Sequence, residues 1–399
     1  MLPRVKIEFA NGLIGSVGAS EDGTTGLVTT AVAVVGKLAL NTMYLITSLS
    51  GLDALGVTAD TSDANALLYK TVKEFYSEAP TGTKLYIWGV ADTVTMPDMV
   101  DKTKTYATNL IKAANGEIKT LMIAKKDVES YVPVILDGMD EVVYTAITQA
   151  QLLGEWAAVE RFAPVMTILP AMGYAGTAAS VADLATRTDD RVCVLIGDTA
   201  SGSTSACVGV LAGRLASIPV QRSVMRVKSG SLPYDELFIG AKAAELADPD
   251  VLHDRGFVTF RTFVGKTGYF FTDDKLATEV TSDYALIPRR RVIDKAYRIA
   301  YLTMTNELGD EIPLTDAGSI PASIVKNIQR TVERAIETGM TAEGNLGIDP
   351  DDSADTGVMA YIDSSQNIAA TSRLELQLRV KPYGYNKYID ISLGFSVGA

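Results

Sequence analysis

Near its C-terminus the chain alternates strictly between apolar and polar residues. From Arg373 to Lys381, Leu374, Leu376, Leu378 and Val380 fall on one side, and Arg373, Glu375, Gln377, Arg379 and Lys381 on the other. After Pro382-Tyr383-Gly384-Tyr385 the alternation resumes with Ile389, Ile391, Leu393, Phe395 and Val397. A period of two is the pattern of half-buried β-strand. The second run continues almost to Ala399. A strand there would have two edges of unpaired N–H and C=O groups and nothing after it to cover them. It is expected to pair within its own domain or to add to a neighbouring sheet. The first residues have the same character: Val5, Ile7 and Phe9 alternate with Lys6 and Glu8, and Gly12, Gly15 and Gly18 follow. A globular body with a strand-like arm at each end implies a subunit built to join others.

The body is large enough for two to three domains at roughly one per 150 residues. With 47% hydrophobic and 21% charged residues, it is composed like a well-cored protein. A formal net charge of −12 argues against general nucleic-acid binding, which needs a basic footprint. Cys193 and Cys207 are the only cysteines, so no disulfide framework is expected and a reducing compartment fits. Met1 to Lys6 is not followed by an apolar core of signal-peptide type. The longest apolar run, Gly26 to Leu40, is broken by Thr29, Thr30 and Lys37 and falls short of the ~20 residues of a membrane span. It is expected to be a buried strand or helix.

Strands and helices then alternate. Helices are expected over 62–78, 98–114, 148–162, 180–186 and 203–217, and strands over 84–90, 118–123, 165–169 and 192–196. This is an α/β layer structure with a partly parallel sheet. Near residue 250 the pattern changes. Phe257 to Val264 and Gly268 to Thr272 form expected paired strands around Gly265-Lys266-Thr267-Gly268. Helices follow over 291–305 and 321–338, the second with Pro321 in its first turn and Gly339 just past its end. Residues 340–372 lack Lys and Arg and are expected to be an acidic loop region. The expected fold class is therefore α/β plus α+β. Its parts are an N-terminal arm (1–22), an α/β domain (23–250), a C-terminal α+β domain (251–381) and a C-terminal arm strand (382–399).

Catalytic chemistry is sparse. His253, the only histidine, stands beside Asp254, and one histidine without a cysteine cluster makes a poor transition-metal site. A surface or capping role suits it better. No G-x-S-x-G nucleophile elbow is present. The turn Gly197-Asp198-Thr199-Ala200-Ser201-Gly202-Ser203-Thr204 follows an expected strand and opens an expected helix, as a phosphate-binding loop would. Ser203, however, stands where that loop needs the lysine that neutralises the β- and γ-phosphates. In Asp349-Pro350-Asp351-Asp352-Ser353-Ala354-Asp355, Ala354 replaces the turn glycine of a calcium loop and Ala360 its closing glutamate. A solvated loop is the expectation. No catalytic, cofactor-binding or metal-ligating residue is assigned, and no cofactor is expected.

Positive charge is concentrated in two places. Arg289, Arg290, Arg291, Lys295 and Arg298 lie close together with only Asp294 among them. In the next helix Lys326, Arg330 and Arg334 recur at four-residue spacing and share one face. Like charges at that spacing oppose an isolated helix by roughly 0.2–0.5 kcal/mol per pair. Either Glu333, Glu337 or the acidic loop neutralises these cations within the subunit, or an acidic partner surface does.

The order of these segments resembles the contractile tail sheath proteins of phages and related injection systems, in a small divergent form. Four stretches carry the likeness: Leu2 to Ile7 with Gly12, Gly15 and Glu21 to Val28; Val72 to Tyr76 before Lys84 to Trp88; Gly209 to Arg214 with Ile218 to Arg222; and Gly256 to Arg261, Gly268 to Phe271 and Tyr284 to Arg291. The likeness rests on order and spacing. Phe271-Thr272-Asp273-Asp274 replaces the tryptophan-glycine-alanine-arginine run of larger sheaths, and Pro288 to Arg291 matches their arginine pair only in part.

The resemblance implies a non-enzymatic structural subunit of a virion tail or injection particle, assembled in the bacterial cytoplasm. It implies hexameric rings stacked around an inner tube, and a sleeve that shortens to drive the tube through a target envelope. The implied partners are identical sheath subunits, the inner tail tube protein, and baseplate and tail-terminator proteins, with no direct nucleic-acid contact and no membrane insertion. On this view Val5, Ile7, Phe9, Ile389, Ile391, Leu393 and Phe395 belong to intersubunit arms. Lys326, Arg330 and Arg334 are the tube-facing candidates. The alternative is an α/β enzyme or ligand-binding protein with a phosphate or small-molecule site at the 197–204 turn.

Overall fold

The computed structural model describes residues 20–59, 63–316 and 318–394. Its centre is a six-stranded sheet. The strands are β1 (Thr25–Thr30), β2 (Met43–Ile46), β3 (Leu85–Val90), β4 (Thr120–Ala124), β5 (Met166–Pro170) and β6 (Val192–Leu195), in the order β2-β3-β1-β4-β5-β6. Neighbours run parallel except β2, which is antiparallel to β3. Every residue of β1, β3, β4, β5 and β6 is buried, which explains why they read as continuous apolar runs rather than alternations. The Gly26 to Leu40 run resolves into β1 and the loop after it.

Helices α1 (Ala66–Glu78), α2 (Ala107–Ala113), α3 (Glu141–Arg161) and α4 (Val208–Ser217) surround the sheet. Helices α1 and α4 cross closely at two glycines. A Cβ on Gly209 would lie 2.4 Å from the Thr71 carbonyl oxygen, and one on Gly213 would lie 2.3 Å from that of Phe75. No larger residue fits either crossing point without backbone movement.

Several expected helices are altered by local side-chain hydrogen bonds. The 98–114 helix is two, Met96–Val100 and α2, because Asp101 turns the chain between them by accepting the Thr103 amide at 2.7 Å. The 180–186 helix is instead two 3-10 turns, Ala178–Ser180 and Leu184–Thr186, the latter capped by Asp183. Helix α3 starts earlier than expected, at the Asp140 cap, and ends at Phe162 with φ 53°. Helix α4 starts later, because Ser203 is engaged in the preceding turn.

Two further strands, β7 (Phe260–Phe263) and β8 (Lys266–Phe271), form the expected hairpin. Phe257, Phe260 and Phe271 are buried in the same core as the central sheet. Helix α5 (Ile287–Thr305) follows. The chain divides into two compact units, the first ending at Arg298 and the second starting at Ile299. The sequence expectation put a boundary at 250; compactness divides the chain later because this hairpin shares the first core.

The second unit contains α6 (Ala322–Ile336), β9 (Val358–Ile362) and β10 (Leu376–Val380). Gly339, expected just past the helix, lies inside a π turn, Glu337–Thr341. Strands β9 and β10 pair antiparallel, Ala360 opposite Leu378. Val325 and Ile328 of α6 pack with Ile320 and Ile362. The loop expected over 340–372 therefore conceals a strand. Met359 and Tyr361 on its outer side are apolar yet more than half exposed, which hides the alternation.

Candidate assembly site

In an antiparallel ladder, alternate residues direct N–H and C=O toward the partner strand and away from it. Ala360 directs both away from β10, toward α6. Its amide donates to Glu333 Oε1 at 3.0 Å and its carbonyl accepts from Gln329 Nε2 at 3.0 Å. The opposite residue Leu378, with Leu376 and Val380, must then direct its backbone groups to the other side, the outer edge of β10. Among the described residues no hydrogen bond closes that edge at these three positions. One edge of the hairpin is capped by its own helix and the other is open.

Residues 381–394 beyond β10 contain no strand. Ile389, Ile391 and Leu393 are 73%, 82% and 95% exposed. The expected strand over 389–397 is thus not formed within this chain as far as it is described, because the alternating segment has no ladder partner there. Phe395, and Val5, Ile7 and Phe9 of the N-terminal arm, lie outside the described residues.

Helix α6 turns Val325, Ile328, Val332 and Ile336 inward and leaves Lys326, Arg330 and Arg334 exposed. Arg330 Nη1 reaches Glu337 in the π turn at 3.0 Å and Glu333 on α6 at 3.7 Å, so the centre of the row is neutralised within the subunit. Lys326 and Arg334 make no ion pair among the described residues.

The 289–298 cluster is not a surface. Arg290 and Arg291 are buried. Arg290 stacks on Tyr284 at 4.2 Å and pairs with Asp190 and Asp294. Arg291 donates to the carbonyls of Leu215 and Ile218, at the end of α4, where helix carbonyls lack intrahelical partners. Arg298 donates to the carbonyls of Ile118 and Pro164, just before β4 and β5. Lys295 binds Asp22 at 2.7 Å. These cations fasten the first part of α5 to the ends of sheet and helix.

The 197–204 turn is occupied by its own carboxylate. Asp198 Oδ1 accepts the Thr199 amide at 2.6 Å and Lys70 Nζ at 2.5 Å, and Asp198 Oδ2 accepts the Ser203 hydroxyl. Glu74 lies in the same network, 2.9 Å from both Lys70 Nζ and Thr199 Oγ1. Burial, reinforced by Asp198, raises the Glu74 carboxyl to about 7 against the pull of Lys70. Two carboxylates around one ammonium repel a phosphate. Sequence reasoning missed this network, although Lys70 and Glu74 stand one helical turn apart. His253 sits between Asp273, 3.0 Å from Nε2, and Asp254, 3.1 Å from Nδ1. In the acidic loop, Asp355 is drawn down to about 2, first by Lys381 and then by the amides of Asp349 and Gly357. Among the described residues no group of acidic, His and Cys side chains is arranged to hold a metal, and no helix is long and apolar enough to cross a membrane.

The fold is that of the contractile sheath proteins. A chain of the anti-feeding prophage baseplate, six-fold symmetrised, matches with TM-score 0.63 at 14% identity over 100% of this chain and 99% of that one. The helical sheath of the anti-feeding prophage in the contracted state matches with TM-score 0.59 at 15% identity, again over 100% and 99%. A chain of the contracted PVC sheath complex, an extracellular contractile injection system, matches with TM-score 0.63 at 14% identity over 100% and 98%. No curated protein matches the chain. The chain belongs to the DUF2586 family: residues 2–275 match its N-terminal domain and residues 283–399 its C-terminal domain.

Proposed function

We propose that the chain is the polymerising subunit of a contractile sheath, in a phage tail or an injection particle. The observation that carries this reading is the pairing of an open strand edge, Leu376 to Val380, with an exposed alternating segment, Ile389 to Leu393, in a chain of sheath-protein fold. Each is incomplete alone. Helix α6 supports the hairpin on one side, and a third strand with a main-chain ladder would satisfy the N–H and C=O groups left unpaired along the other edge of β10.

The segments at 1–22 and 382–399 act as arms, and the 382–399 arm of one subunit adds to β10 of another. Identical subunits are thus the first partner. An inner tube is the second, met through Lys326 and Arg334 with Arg330 held back by Glu337. Exposed ion pairs contribute only about 0–1 kcal/mol each, which suits a surface that grips and then releases. Baseplate and tail-terminator proteins bound the polymer at its ends, and assembly takes place in the bacterial cytoplasm. The role is structural rather than catalytic, and the carboxylate-filled turn at Asp198 speaks against the phosphate-site alternative.

Deleting residues 386–399 tests the reading. The truncated chain is expected to fold and to remain as discrete subunits under the electron microscope. Normal sleeves from the truncated chain would overturn it.

A further inference from the structure

In the first unit Val132, Val134, Ile135 and Leu136 stand exposed on one short stretch, Val132 by 79%. The stretch is held in place. Ile135 and Leu136 pair antiparallel with the buried Met139 and Asp140 around Asp137-Gly138, both with positive φ, as a tight hairpin turn requires. Tyr131 Oη donates to Asp140 Oδ2 at 2.8 Å, and the Glu141 amide donates to the Val134 carbonyl at 2.9 Å. Apolar side chains gathered in water and rimmed by polar residues mark a protein contact. Here the rim is acidic. From Asp127 to Glu160 the sequence has no Lys or Arg. Glu129, Asp137 and Glu141 are exposed and make no ion pair among the described residues.

The opposite composition follows α4. From Thr199 to Tyr234 there is no Asp or Glu. The loop beyond the helix carries Arg222, Arg226 and Lys228 beside the half-buried Met225 and Val227, and these cations make no ion pair among the described residues. The two features lie at opposite ends of the parallel sheet. The Asp140 amide donates to the Met172 carbonyl, just past β5, which puts the acidic hairpin at the carboxyl ends of the strands. A Cβ on Gly23, just before β1, would lie 2.7 Å from the Ala216 carbonyl oxygen, so α4 delivers the basic loop to the amino ends. Within one copy they cannot neutralise each other.

We propose that the acidic, apolar hairpin at 129–141 of one copy is the docking surface for the basic loop at 222–228 of a second copy of this chain. The proposal rests on the polymerising-subunit reading and adds to it a contact separate from strand addition at β10. Complementary charge selects the partner and fixes the register, while the apolar side chains supply the buried area. Because the two surfaces differ and sit at opposite ends of the sheet, the contact is heterologous. Each copy keeps one free surface of each kind, so the contact repeats into a ring or a helix.

The test is polymerisation of the purified full-length chain, read by sedimentation and negative-stain microscopy, in two charge-reversed variants. One carries Glu129→Lys with Glu141→Lys, the other Arg226→Glu with Lys228→Glu. Each alone is expected to raise the critical concentration for assembly about tenfold. An equimolar mixture of the two is expected to restore it, since alternating copies then meet with opposite charges at every contact. Normal polymers from either variant alone, beside normal wild-type polymers, would overturn this interface and leave the sheath reading standing. A wild-type chain that never polymerises would overturn both. Should a variant fail to fold, cross-linking decides: Cys193 and Cys207 are buried, so Ser130→Cys with Ser229→Cys gives two accessible thiols per chain. A ladder of covalent multimers with a short bis-maleimide supports the contact, and its absence from assembled sleeves contradicts it.

Discussion

Glu333 on α6 accepts the backbone amide of Ala360 on β9 at 3.0 Å. With Gln329 on the carbonyl of the same residue, the helix closes that edge of the hairpin and leaves Leu376, Leu378 and Val380 on the open one. Proline removes a strand donor and is tolerated only where that donor faces outward. Leu378→Pro should therefore leave a folded, soluble subunit with nearly unchanged circular dichroism and abolish polymerisation. Gln377→Pro, which strikes a donor facing β9, should unfold the hairpin instead. Equal assembly by wild type and Leu378→Pro would mean that β10 accepts no strand.

The cationic row on α6 divides unequally. Arg330 is already paired with Glu337, so Lys326→Glu with Arg334→Glu should reduce assembly around tubes nearly as much as the triple change that includes Arg330→Glu. Tube-free polymers should be spared, since Val325, Ile328, Val332 and Ile336 are untouched. Binding should also weaken with salt, on the ~8 Å screening length of physiological ionic strength. Co-sedimentation with purified tubes at two salt concentrations measures both effects; tube-bound sleeves from the double mutant at wild-type yield would return these residues to an ordinary solvated face.

The crossing of α1 and α4 leaves no room for a methyl group at Gly213. Gly213→Ala should destabilise the subunit by about 3 kcal/mol or more, because overpacking against backbone outweighs the roughly 1 kcal/mol that alanine adds to helix propensity. Urea denaturation of the isolated subunit reads this directly, and a stabilised variant would show that the helices sit farther apart.

Glu74 sets a pH window. Its carboxyl is raised from 4.5 to about 7, first by burial and then by Asp198. The folded state thus holds a proton that the unfolded state has lost. This contribution is fully present below about 4.5 and disappears as pH rises through about 7. Lys70, held above its ordinary range by Glu74 and Asp198 against the effect of burial, stays charged throughout. Glu74→Gln should flatten the fall in stability between pH 5 and 7.5 by about 1–3 kcal/mol. Parallel pH profiles for wild type and variant would place the titration elsewhere.

The parts of this fold legible in the sequence are those in which one local signal dominates. Fully buried runs such as Leu85–Val90 announce strands because parallel strands are apolar on both faces, and α6 shows its inward face by spacing alone. What was hidden depends on partners distant in sequence. Asp101 breaks a helix through a side-chain hydrogen bond that competes with the helical ladder. Strand β9 is masked by Met359 and Tyr361, apolar residues left exposed on the outside of a hairpin. Arg290, Arg291 and Arg298 look like a surface patch because charge usually stays in water; only the fold reveals the carbonyls and carboxylates that receive them. The open edge of β10 depends on which way Ala360 points, and one residue of register would reverse it.

The central claim is that this chain assembles into a sleeve by strand addition to β10. Cryo-electron microscopy of the expressed full-length chain tests it most directly. The account predicts hollow helical sleeves of uniform diameter in which the 386–399 segment of one subunit lies antiparallel or parallel along Leu376 to Val380 of another. Discrete monomers under all assembly conditions, or sleeves in which that edge faces solvent, would contradict it.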